Sequence, residues 1–214
     1  MKLYVYDHCP FCTRARMIFG LKNIPLDLDF FLENDVDGPT KLVGKKTTPI
    51  LQKTDASHMA ESMDIVHYLD EQSQYGEKIV KPLEEGNPFK AWWDSAAMTV
   101  FKLAIPRLAQ ADLPEFATAE AREAFYVRQT KNFGDFDELI ANTPALVKEV
   151  EVQLEKLDPV LADYDQVTEG DFFIFPLLRA LSIVKGVKYP SNVRSYMERM
   201  EQSTGVGLYF DQTR

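Results

Sequence analysis

The sequence predicts an α+β domain at its N-terminal end, followed by a region that is entirely helical. Three observations support this. The first 72 residues alternate strand and helix patterns in the order β-α-β-α-β-β-α, and no convincing strand pattern follows residue 87. Residues 73–87 are polar and contain glycine and proline, which is typical of a linker. We therefore expect domains over residues 1–72 and 88–214, with the linker over residues 73–87.

Four strand patterns define the predicted sheet. Residues 2–6 are apolar on both faces, as in a central strand, and residues 26–30 alternate between apolar and acidic, as in a half-buried strand. A helix pattern over residues 12–22 separates these two, so we expect them to be parallel. The strands at residues 48–53 and 58–60 are close in sequence, which predicts an antiparallel hairpin.

Helix starts are marked by capping residues. Asn87-Pro88 and Thr143-Pro144 each place a cap before a proline, the residue type favoured at the first position of a helix. Thr168 and Asp171 form a predicted capping box. The segment after it, residues 172–181, is apolar nearly all round and predicts a helix in the centre of a bundle. Further helix patterns cover residues 61–70, a stretch from 118 onward and residues 191–202.

Composition and charge exclude several function classes. The chain has 33 acidic and 24 basic residues, a formal net charge of −9, which gives no general attraction for nucleic acid or anionic membranes. No apolar run approaches the roughly 20 residues that span a bilayer. The first ten residues also lack the apolar core of a secretory signal. We expect a cytoplasmic protein.

The most informative motif is Cys9-Pro-Phe-Cys12, which contains both cysteines of the chain. It follows a predicted strand and opens a predicted helix. Free backbone N–H groups and the positive end of the helix dipole would favour a thiolate at Cys9. Pro10 fits the first helical position, and Cys12 lies about one turn further, within reach of a disulfide with Cys9. We expect Cys12 to be more buried and to keep a higher pKa.

Two other interpretations of the cysteine pair remain. It could be half of a zinc site, although no second pair exists and only three histidines are present. It could also be an inert structural pair. A redox role explains the proline between the cysteines better than either.

Two further segments are candidate site elements. Thr48-Pro49 precedes a strand, where a proline either starts the strand or forms a cis bond that turns the Thr48 backbone toward a ligand. Glu61-Ser62 opens a helix, where free N–H groups bind anions such as carboxylates. A simple helix cap would also explain the serine.

Together these residues resemble the glutathione site of thioredoxin-fold proteins. Cys-Pro-aromatic-Cys is typical of glutaredoxins, and a Glu-Ser pair followed by an all-helical domain is typical of glutathione S-transferases. The bacterial glutaredoxin 2 family combines these features, and the chain resembles it over its full length. The resemblance implies a thioredoxin-like N-terminal domain, an all-α C-terminal domain and a glutathione S-transferase-like architecture.

The resemblance also implies a function, that of a glutathione-dependent thiol-disulfide oxidoreductase. Cys9 would attack protein disulfides and glutathione mixed disulfides, and Cys12 would resolve protein disulfides. Glutathione would be the cosubstrate, without a metal, and the protein would be a monomer whose partners are disulfide-bearing or glutathionylated proteins. The residues implied in glutathione binding are Phe11, Thr48, Pro49, Glu61 and Ser62.

Two alternatives belong to other classes. A cysteine-type glutathione transferase or dehydroascorbate reductase also carries a reactive cysteine at this junction, but Cys12 favours the dithiol enzyme. A transferase-fold scaffold would need neither cysteine. Around the motif we expect His8 to be an exposed loop residue rather than one that tunes Cys9, and Arg14 and Arg16 to lie on the helix surface.

Overall fold

The computed structural model describes residues 1–214 and divides into two compact units. The first unit is formed by residues 1–79 and 112–128, and the second by residues 80–111 and 129–214. The segment 112–128 thus belongs to the first unit, whereas its sequence predicts part of the helical domain. Its hydrogen bonds to residues near the start of the chain account for this difference. The predicted boundaries at residues 72 and 88 stay a prediction.

A mixed four-stranded sheet forms the centre of the first unit. Its strands are β1 (Lys2–Val5), β2 (Asp27–Phe30), β3 (Ile50–Gln52) and β4 (His58–Ala60). Their order in the sheet is β2-β1-β3-β4. The strand β1 pairs in parallel with β2 and antiparallel with β3, and β3 pairs antiparallel with β4. Both predicted relations, a parallel pair and an antiparallel hairpin, are confirmed.

The helices of the first unit are α1 (Pro10–Leu21), α2 (Asp37–Val43) and α3 (Ser62–Asp70). The helix α1 packs against α3, and the fully buried residues of these two helices include Ile18 and Ile65. The strand β1 is central in the sheet, as predicted. It is not covered equally on both faces, because Leu3 and Val5 are fully buried whereas Lys2 and Tyr4 are only half-buried.

The second unit is a helical bundle. Its helices are α4 (Pro88–Leu108), α5 (Ala119–Phe133, whose first ten residues belong to the first unit), α6 (Phe136–Ala141), α7 (Thr143–Leu157), α8 (Asp171–Leu181) and α9 (Ser191–Thr204). The longest helix, α4, packs against α7 and α8, and α8 is buried nearly all round, as its sequence predicts. The sequence does not predict α6, because six residues are too few to show a helical period.

None of these helices combines the length and the apolar character needed to cross a membrane. The longest, α4, contains 21 residues but carries charged side chains along its length. Its charged residues are Lys90, Asp94, Lys102 and Arg107.

A buried carboxylate organises the start of α8. The Asp171 carboxylate accepts hydrogen bonds from the Thr168 backbone N–H at 2.7 Å, the Tyr164 hydroxyl at 2.6 Å and the Tyr196 hydroxyl at 2.8 Å. In return, the Thr168 hydroxyl accepts a hydrogen bond from the Gly170 N–H at 3.1 Å. One half of the predicted capping box is thus present: Asp171 accepts from the Thr168 N–H, whereas the Thr168 hydroxyl accepts from the Gly170 N–H and not from that of Asp171. The same network connects α8 to α9 through Tyr196.

We predict that Asp171→Ala lowers the free energy of unfolding by about 3 kcal/mol, because several buried donors lose their acceptor together. A matched control is Asp135→Ala, which removes the exposed cap that accepts from the first N–H groups of α6. The control substitution should lower the free energy of unfolding by only about 1 kcal/mol. Urea denaturation followed by circular dichroism measures both losses. Equal losses would contradict a supporting role for the Asp171 network.

Candidate active site

Cys9 lies at the junction between β1 and α1. It is the N-cap residue of α1, and Pro10 occupies the first helical position. The Cys9 sulfur accepts a hydrogen bond from the Cys12 backbone N–H at 3.4 Å. The sequence predicts this arrangement, because a proline removes an N–H that the first turn could not pair.

The strand register places the predicted site segments at one end of the sheet. Tyr4, near the end of β1, pairs with Ile50, and Ile50 pairs with Ala60. Pro49 directly precedes Ile50, and Glu61 directly follows Ala60. The segments carrying Pro49 and Glu61 therefore flank the same end of the sheet from which the chain leads into the cysteine motif.

The pKa of Cys9 is lowered to about 6. The largest cause is a hydrogen bond with the Cys12 thiol, and burial of Cys9 opposes it. The positive charge of His8 and the backbone N–H groups of Cys12 and Phe11 lower the pKa further. The sequence predicts a thiolate at this position and attributes it to the N-terminus of the helix. In the structure the hydrogen bond with the Cys12 thiol lowers the Cys9 pKa most, and the backbone N–H groups lower it less.

Cys12 differs from Cys9 in burial and in acidity. Its side chain is fully buried, and burial followed by the interaction with Cys9 raises its pKa well above the ordinary value. Hydrogen bonds from the Thr48 side chain and the Tyr6 backbone N–H, the latter at 3.4 Å, oppose this rise. The Thr48–Pro49 peptide bond is cis. Thr48 thus lies beside the cysteine pair, and the two sulfurs differ as the sequence predicts.

The expectation that His8 is an exposed loop residue is wrong. Only 9% of its side chain is exposed, and its ring Nδ1 lies 2.6 Å from a carboxylate oxygen of Glu115. The same oxygen accepts a hydrogen bond from the His8 backbone N–H at 2.9 Å. Glu115 is itself fully buried.

Sequence reasoning missed Glu115 as a site residue. It lies 107 residues after His8 in the chain, in a short 3₁₀ segment at Pro114–Phe116. No local motif marks it, because an isolated glutamate after a proline usually lies at the surface. Only the return of segment 112–128 to the first unit brings it to the cysteine motif.

The expectation of a surface position is also wrong for Arg14. This residue is buried, and its guanidinium carbon lies 4.8 Å from the centroid of the Phe11 ring. Burial lowers the Arg14 pKa to about 10 and the charge of Cys9 opposes the fall, so the group is cationic at neutral pH. Arg16 is largely covered and pairs with Asp7 at 2.5 Å. Phe11 itself is 47% exposed beside the cysteines.

The Glu61-Ser62 pair lies at the start of α3, as predicted. Ser62 is buried, and Glu61 is exposed and pairs with Lys45 at 2.9 Å. Glu61 has a positive φ of 72°, a conformation that residues other than glycine rarely adopt. Such backbone conformations cluster at functional sites, which supports a binding role for this segment.

The zinc interpretation finds no support in the structure. No group of three or more histidine, cysteine, aspartate or glutamate side chains is arranged to hold a metal ion. His8, the histidine closest to the cysteines in sequence, is engaged by Glu115.

Comparison with known proteins assigns the family. The family described as "Glutaredoxin 2, C terminal domain" matches residues 89–213, and the family described as "Glutathione S-transferase, N-terminal domain" matches residues 8–72. Glutaredoxin 2 of Escherichia coli strain K12 is 41% identical over 215 residues, which covers 97% of each chain. The chain belongs to the glutaredoxin 2 family. This confirms the predicted family and its general class, a glutathione-dependent oxidoreductase. The matches do not favour the transferase, dehydroascorbate reductase or scaffold alternatives.

Solved structures agree with this family and with the predicted fold class. The crystal structure of glutaredoxin 2 from Salmonella typhimurium in complex with glutathione is 37% identical, with a TM-score of 0.95, and the match covers 100% of this chain and 98% of that one. A glutathione transferase from Phanerochaete chrysosporium is 16% identical, with a TM-score of 0.68 and coverage of 94% and 96%. The second likeness shows the fold alone. The thioredoxin-like N-terminal domain and the glutathione S-transferase-like architecture are thus confirmed.

We predict that iodoacetamide labels Cys9 of the reduced protein with a midpoint near pH 6, the value to which its pKa is lowered. Cys12 should react only at alkaline pH, because burial disfavours its thiolate. Mass spectrometry of the labelled protein follows each cysteine separately.

Cys12→Ala should move the Cys9 midpoint upward, because it removes the largest stabilising hydrogen bond, and Cys12→Ser should move it less. A Cys9 midpoint at the value of free cysteine would contradict the assignment.

Proposed function

We propose that this chain reduces protein disulfides and glutathione mixed disulfides through its Cys9–Cys12 dithiol, with glutathione as the reductant. The observation that supports this proposal is the unequal acidity of the two sulfurs. Cys9 is poised as a thiolate near neutral pH, whereas Cys12 is held as a thiol against it. A thiolate attacks a disulfide and a thiol does not, so this arrangement fixes the order of attack.

In the first step, the Cys9 thiolate attacks one sulfur of the substrate disulfide. A new sulfur–sulfur bond forms at Cys9, the substrate bond breaks, and the second substrate sulfur leaves as a thiolate. Formation of this mixed disulfide removes the negative charge that stabilised the Cys12 proton. The Cys12 pKa therefore falls in the intermediate, because interaction with Cys9 is one cause of its elevation.

The intermediate can be resolved in two ways. With a protein substrate, Cys12 loses its proton and attacks the Cys9 sulfur, which releases the reduced substrate and forms the Cys9–Cys12 disulfide. Two glutathione molecules then restore the dithiol and leave as oxidised glutathione. With a glutathionylated substrate, Cys9 bonds to the glutathione sulfur in the first step and the protein thiolate leaves. A second glutathione thiolate then attacks that glutathione sulfur, the bond to Cys9 breaks, and oxidised glutathione leaves. That path regenerates the Cys9 thiolate directly and does not require Cys12.

The glutathione site is proposed at the end of the sheet described above. The γ-glutamyl end of glutathione carries a carboxylate and an ammonium group. We assign the carboxylate to the Ser62 hydroxyl and the first N–H groups of α3, where anions are favoured, and the ammonium group to Glu61. Thr48, before Pro49, pairs with the peptide backbone, and Phe11 covers the cysteinyl part of the tripeptide.

The proposal also covers the location of the protein in the cell, its partners and its oligomeric state. Glutathione chemistry of this kind operates where thiols are kept reduced, so the proposed location is the cytoplasm. The proposed partners are disulfide-bearing or glutathionylated proteins, and the proposed state is a monomer.

We predict that Cys9→Ser abolishes reduction of a mixed disulfide between glutathione and a small thiol, whereas Cys12→Ser retains it. The reason is that glutathione can resolve this intermediate without the second cysteine. Reduction of a protein disulfide should require both cysteines. The measurement is the rate of oxidised glutathione formation in an assay coupled to glutathione reductase. If Cys12→Ser is as inactive as Cys9→Ser on the small substrate, the assigned roles are wrong.

We predict that Ser62→Ala raises KM for glutathione by about tenfold with little change in kcat, because it removes one hydrogen bond to a charged group. Ser191→Ala is a matched control, since Ser191 is the first residue of α9 in the other unit. Steady-state kinetics with varied glutathione provide both constants for each variant. An unchanged KM in Ser62→Ala would remove this residue from the glutathione site.

A further inference from the structure

Glu115 holds His8 through two contacts made by a single oxygen. The Oε1 atom lies 2.6 Å from the ring Nδ1 and accepts a hydrogen bond from the His8 backbone N–H at 2.9 Å. Both side chains are almost or completely buried. These contacts fix the ring relative to the backbone that leads into Cys9, the next residue in the chain.

Three aromatic side chains pack against the His8 ring. The Tyr6 ring stacks on it at 5.7 Å between centroids, and the Phe116 ring stacks on it at 5.3 Å. The Phe125 ring meets it edge to face at 4.7 Å. We call these three residues the aromatic box. The faces of aromatic rings attract cations, so the stacked rings of the box favour the protonated form of the imidazole.

We propose that Glu115 is a positioning residue for thiol-disulfide exchange: it holds His8 as an imidazolium inside the aromatic box, and this buried cation favours the Cys9 thiolate. The proposal rests on the proposed function and adds to it a positive charge, on His8, that stabilises the Cys9 thiolate. It makes Cys9, His8 and Glu115 an alternating series of anion, cation and anion. Without the last member, the cation beside Cys9 would be a buried charge with no partner.

The acidities of the three groups agree with this geometry. Burial alone would lower the His8 pKa, but the hydrogen bond and charge of Glu115, together with the charges of Cys9 and Glu33, raise it. Burial alone would raise the Glu115 pKa, but the contacts with His8 lower it. His8 is therefore protonated to higher pH than an ordinary histidine, and its charge lowers the pKa of Cys9.

Other charged groups near His8 are largely balanced among themselves. Glu33 is fully buried and pairs with the Arg128 guanidinium, and its backbone carbonyl accepts a hydrogen bond from the Lys46 ammonium at 2.6 Å. The Glu33 N–H in turn donates to the Glu115 backbone carbonyl at 3.0 Å. Glu33 raises the His8 pKa, but less than Glu115 does.

Two further cations face this region from other elements. The Arg122 guanidinium carbon lies 5.2 Å from the centroid of the Phe116 ring. Arg14 lies on α1, and its charge interacts with Cys9. Asp7, which directly precedes His8, pairs with Arg16 at 2.5 Å. Burial raises the pKa of Tyr6, so its hydroxyl stays neutral in the box. Of these groups, Glu115 alone contacts the His8 ring through a carboxylate.

The variant Glu115→Gln tests the proposal, because glutamine keeps the shape and the acceptor oxygen but removes the charge. We expect the midpoint of iodoacetamide labelling at Cys9 to move upward by about one pH unit. The thiolate formed above that midpoint should remain reactive, so labelling at alkaline pH should not fall. The matched control is Asp70→Asn, a fully buried carboxylate in the same unit that pairs with Lys22 at 3.2 Å. It should leave the Cys9 midpoint unchanged.

A second measurement uses the protein without a substitution at Glu115. The His8 ring is titrated by NMR in the reduced protein and in Cys9→Ser, which lacks the thiolate. Because interaction between two titrating groups is reciprocal, the His8 pKa should be lower in Cys9→Ser. This result remains informative even if Glu115→Gln does not fold.

The outcomes separate the inference from the proposed function. An unchanged labelling midpoint in Glu115→Gln, or the same His8 titration with and without the Cys9 thiolate, overturns the role of Glu115. Neither result affects the dithiol mechanism, which is tested by the cysteine variants in the coupled assay. A fall in labelling at every pH, without a shift of the midpoint, would show a purely structural role and would also overturn the inference.

Discussion

The negative charge on the Cys9 sulfur is the feature on which the rest of the site depends. Burial opposes this charge, so the protein must offset the loss of hydration with specific contacts. Three kinds of contact do so: the Cys12 thiol, the His8 cation and the backbone N–H groups at the start of α1. The arrangement keeps Cys9 ionised while its neighbour Cys12 stays protonated, as the proposed dithiol mechanism requires in the resting state.

The fold explains how these contacts reach one sulfur. The parallel pair of β1 and β2 requires a crossover helix, and the start of that helix lies where β1 ends. The antiparallel pairing of β1, β3 and β4 brings Pro49 and Glu61 to the same end of the sheet. The proposed glutathione site and the cysteine motif therefore lie at one end of the sheet because of a single strand register. A shift of one residue in that register would separate them.

The segment 112–128 adds a constraint that comes from outside the sheet. It supplies Glu115 together with two rings of the aromatic box, and it belongs to the first unit despite its position in the sequence. A thiolate stabilised partly by such a distant segment depends on the packing of that segment. The acidity of Cys9 is thus coupled to tertiary structure and is not a property of the cysteine motif alone.

Local patterns in the sequence predict the order of strands and helices along the chain, one parallel strand pair, one antiparallel hairpin, the helix at the cysteine motif and the contact between Thr168 and Asp171. These features depend on local patterns: alternation, a proline at the first helical position and capping residues at fixed spacing. The spatial order of the strands, the burial of His8 and Arg14 and the contact of Glu115 with His8 come from tertiary contacts. These features depend on residues far apart in the chain, and a single sequence carries no periodic or spacing signal for such contacts. His8 and Glu115 are 107 residues apart, yet one carboxylate oxygen of Glu115 contacts both the backbone N–H and the ring of His8.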